Sequence, residues 1–62
     1  MDREYIVVET DRVGKVGEVA VCTDLPLARH YSDRYAANAP ITSTVRIFAS
    51  DAIETRAGEA TK

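Results

Sequence analysis

Tyr5-Ile6-Val7-Val8 constrains this chain more than any other stretch. Four large apolar residues in succession, all of them β-branched or aromatic, read as a β-strand over about residues 4–10. A strand with one side in water alternates apolar with polar residues. This one places Ile6 and Val8 on one side and Tyr5 and Val7 on the other, so both sides require cover. It is expected to be the central strand of a small sheet, shielded on one face by the chain's own helix and on the other by something further.

The remaining elements follow in order. Asp11 to Gly17 holds two glycines among charged residues and reads as a hairpin loop. Gly14 is the expected positive-φ position, and Gly17 either opens the next strand or marks a bulge. The second strand runs from Glu18 to Cys22, with Val19 and Val21 on one face and Ala20 and Cys22 on the other. Thr23 and Asp24 are suited to cap a helix, and Pro26 fits its first turn, where a missing N–H costs nothing. The helix spans Leu25 to Asn38. Projected at about 100° per residue, Leu27, Ala28, Tyr31, Tyr35, Asn38 and Ala39 share one arc, with Arg29, His30, Asp33 and Ala37 opposite. Asn38 suits a left-handed cap, and Pro40 forbids continuation. The third strand, Thr42 to Ser50, turns Val45, Ile47 and Ala49 toward the helix and leaves Phe48 and Arg46 on the back.

The order β-β-α-β predicts an α+β fold. A three-stranded, mainly antiparallel sheet of order 2-1-3 carries one helix packed on one face. Pairing of strand three beside strand two, in parallel, is the alternative. Residues 1–50 form the single domain, after a polar lead-in at residues 1–4. Residues 51–62 contain Ile53 as their one large apolar side chain, so a C-terminal tail is expected, either a short helix opened by Asp51 and Glu54 or disordered.

Several chemistries find no support. A single cysteine, Cys22, closes no internal disulfide, and with the single histidine, His30, it makes no zinc cluster. As a nucleophile and base the two are poorly matched, since the helix directs His30 away from the strand that carries Cys22. Glu9, Asp11 and Glu18 flank the hairpin loop without calcium-loop spacing. No catalytic residue, metal site or cofactor is expected, and the chain reads as a non-enzyme. The net charge is −2, and the basic residues are dispersed: Arg12 and Lys15 in the loop, Arg29 and Arg34 on the helix, Arg46 on the sheet. Nucleic-acid binding is disfavoured on that ground. Gly14-Lys15-Val16-Gly17 is similar to the GxxG loop of KH modules, but that loop joins two helices and this one joins two strands. No apolar run is long enough to span a bilayer and no signal-like segment opens the sequence, so a cytoplasmic setting is expected.

Two resemblances bear on origin. The abundance of Arg, Ala, Val and Asp beside only two lysines resembles the short reading frames of GC-rich bacteria or their phages. Tyr5-Ile6-Val7-Val8-Glu9, the glycine-bearing turn, the second strand and Asp24-Leu25-Pro26 resemble the opening of HicB-type antitoxins, over residues 4–26. The chain then departs from that family: the helix starts at once, without the Gly-Cys turn and intervening strand, and no DNA-binding segment follows within the sequence. The resemblance implies masking of a small RNase toxin.

The residues themselves imply a protein-binding surface. With one helix available, the back of the sheet is expected to expose Tyr5, Val7, Ala20, Cys22 and Phe48, with Arg46 at its edge. An apolar patch of this kind on a small protein marks an interface. Tyr5, Val7 and Phe48 are the expected anchors and Arg46 the polar orienter. The partner is a second copy, giving a homodimer, or another protein. The competing expectation is that the tail folds over the patch through Ile53.

Overall fold

A computed structural model describes residues 4–60; residues 1–3 of the lead-in and 61–62 of the tail lie outside the described residues. The elements are β1 (Tyr5–Thr10), β2 (Val16–Cys22), α1 (Leu25–Asn38), β3 (Thr44–Phe48) and β4 (Ala52–Ala57). They form one open antiparallel sheet of order β2-β1-β3-β4, with α1 on one face. The α+β class, the order 2-1-3 and the central position of β1 are as the sequence implies. The parallel pairing of β3 with β2 does not occur.

The sheet has four strands, not three. Residues 52–57 are neither helix nor loose tail; they pair antiparallel with β3, from Thr44↔Ala57 to Phe48↔Ala52. The domain therefore extends past residue 50. Ile53 is the extra residue at the bulge between Ile47 and Phe48, and it does not fold over the back of the sheet. What holds β4 is polar. Arg29 donates through Nε and Nη2 to Glu54, at 2.7 and 2.6 Å, and Arg56 bridges Asp33 and Glu59. Both arginines are held in their charged form by these carboxylates, which raise their pKa values further.

Local chemistry explains the turns. Asp11 closes the hairpin loop by accepting the N–H groups of Lys15 and Val13 on one carboxylate oxygen, at 2.9 and 3.0 Å. Those bonds, that from Lys15 foremost, hold its pKa below the ordinary carboxylate value. Gly14 has φ +88°, as expected of it. Gly17 is the bulge residue between Glu9↔Glu18 and Thr10↔Val16. Asp24 caps α1 by accepting the Leu27 N–H at 3.0 Å, with Pro26 in the first turn.

The helix ends differently from expectation. Among the described residues no non-glycine has positive φ, so Asn38 is not a left-handed cap, and its side-chain amide donates to the Arg34 carbonyl instead. The orphan carbonyls at the end of α1 are taken up from a distance: Glu59 N–H donates to Ala36 O at 2.7 Å and Ala60 N–H to Ala39 O at 2.8 Å. Gly58 lies so close beneath this turn that a Cβ there would sit 2.6 Å from the Ala39 carbonyl oxygen.

The core lies between α1 and the sheet. Val7, Val45 and Ile47 are its largest wholly buried side chains, with Cys22, Ala28 and Ala36 beside them and Tyr5, Ala20, Leu25, Tyr31 and Tyr35 packed around. The buried stripe of the helix is Ala28, Ser32 and Ala36, and Leu27 is 42% exposed. Small residues at every fourth position let the helix lie close against the sheet, which turns the larger Leu27 outward and the tyrosines to the flank.

Candidate functional site

Register decides which residues face the helix. Val7 stands opposite Ala20 on β2 and Ile47 on β3; Tyr5 stands opposite Cys22, and Glu9 opposite Glu18 and Val45. Paired residues share a face, so Tyr5, Val7, Ala20 and Cys22 belong with Val45 and Ile47 on the helix side. This corrects the expected surface. Val7 has 0% exposure and Tyr5 packs against the core, so neither anchors the uncovered face. The pattern could not choose between the two sides of β1, because both are apolar. Once Val45 and Ile47 face the helix, in-register pairing with β1 forces Val7 to do so too.

The uncovered face is built from the other parity. β1 contributes Ile6, Val8 and Thr10; β2 contributes Val16, Val19 and Val21; β3 contributes Thr44, Arg46 and Phe48. Phe48 and Arg46 stand where the sequence placed them. Phe48 lies opposite Ile6, and Arg46 lies opposite Val8 and Thr55. Ile6, Val19 and Val21 are 36%, 53% and 61% exposed, while Phe48 and Val8 are half-buried by their neighbours in the sheet. Arg46 is the one charge on this face among the described residues, and its Nη1 donates to Thr10 Oγ1 at 3.4 Å. The valines and isoleucine were missed as site residues, although the hairpin alone pairs Val21 with Ile6 and Val19 with Val8.

The two edges of the sheet, β2 and β4, differ as well. The β4 edge carries a bulge, and the charged side chains of β4 are tied to the helix. β2 has β1 and α1 as its main neighbours and presents its other edge outward, with Glu18 its single charge.

Other polar groups converge at one place. Glu9 and Glu18, directly opposed across β1 and β2, line an open cleft of about 350 Å³ with Tyr31, Arg34, Tyr35 and Asn38. Burial, and after it the charge of Glu18, pushes the Tyr35 hydroxyl pKa up. Cys22 is 2% exposed; burial and then the Asp24 charge raise its pKa, which disfavours the thiolate a nucleophile needs. His30 lies on the exposed side of α1 against the edge of Tyr31. Among the described residues no three His, Cys, Asp or Glu side chains are grouped to hold a metal ion, and no helix is long and apolar enough to cross a membrane. Glu9, Asp11 and Glu18 are thus split between the cleft and the loop. No family model, curated protein or solved structure matches this chain.

Proposed function

We propose that the chain is a non-catalytic protein-binding module and that its helix-free sheet face receives a second copy of itself. One observation carries the reading: a solvent-facing sheet surface in an antiparallel protein is ordinarily polar, and this one carries valines, isoleucine and phenylalanine with one charge, Arg46. A second copy is the occupant of matching chemistry, because the face has no charge pattern to be complemented and is apolar in itself. Two copies related by a two-fold axis would stack helix, sheet, sheet and helix, the sheets about 10 Å apart. The chain is also of a size at which one core supplies only about 3–5 kcal/mol, so a second apolar layer has large relative value.

Burying what remains exposed of Ile6, Val19, Val21 and Phe48 contributes on the order of 3–5 kcal/mol per copy. Association costs of about 4–15 kcal/mol oppose it, so the expected complex is of moderate affinity and concentration-dependent. Sedimentation velocity from micromolar to millimolar concentration tests this. Phe48→Glu is expected to abolish the face-packed species while leaving the circular dichroism spectrum of the fold intact. If Phe48→Glu and Val8→Glu both leave the association state of the wild type unchanged, the reading is wrong.

A further inference from the structure

The outward edge of β2 is a second, independent surface. Natural sheets protect their edges with charge, bulges or covering segments, because an unpaired row of N–H and C=O groups templates another strand. β4 uses these devices: a bulge at Ile53, Glu54 and Arg56 on the strand, and a following segment bonded back to the helix end. β2 uses far fewer. Its bulge lies at Gly17, near one end, and from Glu18 to Cys22 the strand is regular and carries one charge.

We infer that β2 pairs antiparallel with β2 of a second copy about a two-fold axis through Ala20, joining two four-stranded sheets into one of eight. The register follows from the side chains. With Ala20 opposite Ala20 of the second copy, Val19 meets Val21, a β-branched cross-strand pair on the uncovered face, and Glu18 meets Cys22 on the helix face. No like charges oppose one another, and the regular span 18–22 is used in full. Both helices lie on the same side of the joined sheet.

The size of the uncovered face also favours this arrangement, an argument that rests on the face-packing reading above. Stable interfaces bury about 800 Å² of accessible surface per partner, so one face of a four-stranded sheet this short supplies at most a single interface of that class. Edge pairing doubles the continuous apolar surface, and two such dimers stacked face to face form a tetramer with three mutually perpendicular two-fold axes, a common closed symmetry.

Cysteine cross-linking reads the register directly. In the full chain carrying Cys22→Ala, Val19→Cys and Val21→Cys are prepared separately, each also in a Phe48→Glu background that removes face packing. Mild oxidation of an equimolar mixture is expected to enrich the Val19→Cys/Val21→Cys heterodimer above the statistical half. Each variant alone is expected to cross-link poorly, because identical positions then lie diagonally, with Cβ atoms about 7–8 Å apart, beyond disulfide reach. Efficient homodimers of either variant would overturn the register, and a statistical or absent yield in the mixture would overturn edge pairing. Loss of mass with Phe48→Glu but retention of the cross-link separates failure of this edge from failure of the face. Wild type is expected to sediment as a tetramer that Phe48→Glu reduces to a dimer.

Discussion

On the helix side of β1, Val7 has no exposed surface; one residue earlier on the same strand, Ile6 is 36% exposed on the other side. Both belong to apolar sets that continue across β2 and β3, and the two sets differ little in composition. What separates them is the stripe Ala28, Ser32 and Ala36, small enough to bring α1 down onto Val7, Val45 and Ile47. Among the described residues a single helix covers one side of a small sheet, and the other side keeps its apolar character without an intramolecular partner. The contrast teaches that hydrophobicity alone does not identify a core. Register and the presence of a packing partner do.

Paired truncations sharpen this contrast most. Ile47→Ala, on the covered side, is expected to destabilise the chain by about 2–5 kcal/mol in urea unfolding, through lost contacts and a cavity. Phe48→Ala, next along the strand but on the uncovered side, is expected to cost the dilute, unassociated chain only about 1 kcal/mol, because half-burial forfeits less. Equal losses would mean that the two faces are equally covered. Next in size is Gly58→Ala, where the new methyl group meets the backbone carbonyls of residues 39 and 40. A loss of about 1–3 kcal/mol is expected, with hydrogen-exchange protection falling first at the end of α1 and the start of β3. The smallest effect concerns acid. Asp11 has a lowered pKa in the fold, so its bonds to Lys15 and Val13 stabilise the hairpin above the unfolded-state value of about 3.9 and are lost as pH falls through the folded value. An NMR titration is expected to place its midpoint below the ordinary Asp value, and Asp11→Asn is expected to flatten the acid limb of the stability profile.

Much of this architecture was legible in the residues. Asp24, Pro26 and Pro40 bound the helix at 25–38 because capping and the proline ring act locally. Strand order followed from β1 being apolar on both sides, which only a central strand tolerates. β4 was not legible, because apolar pattern is the signal for a strand and Glu54, Thr55 and Arg56 lack it. Their strand is held by the backbone ladder to β3 and by ion pairs to α1, interactions between residues distant in sequence. The helix phase was misjudged where bulk was favoured: Leu27 and the tyrosines drew the arc toward themselves, whereas close packing selected Ser32. Of the candidate surface, Phe48 and Arg46 were readable from β3 alone, while Tyr5 and Val7 depended on a register that spans two strands.

The donors that finish the carbonyl ladder of α1 come from Glu59 and Ala60, made on the ribosome well after the helix they complete. Until β4 and the residues after it are made, Ala36 and Ala39 lack these two donors and the sheet lacks its charged border. The C-terminal end of α1 thus gains these two donors only after β4 has been synthesised.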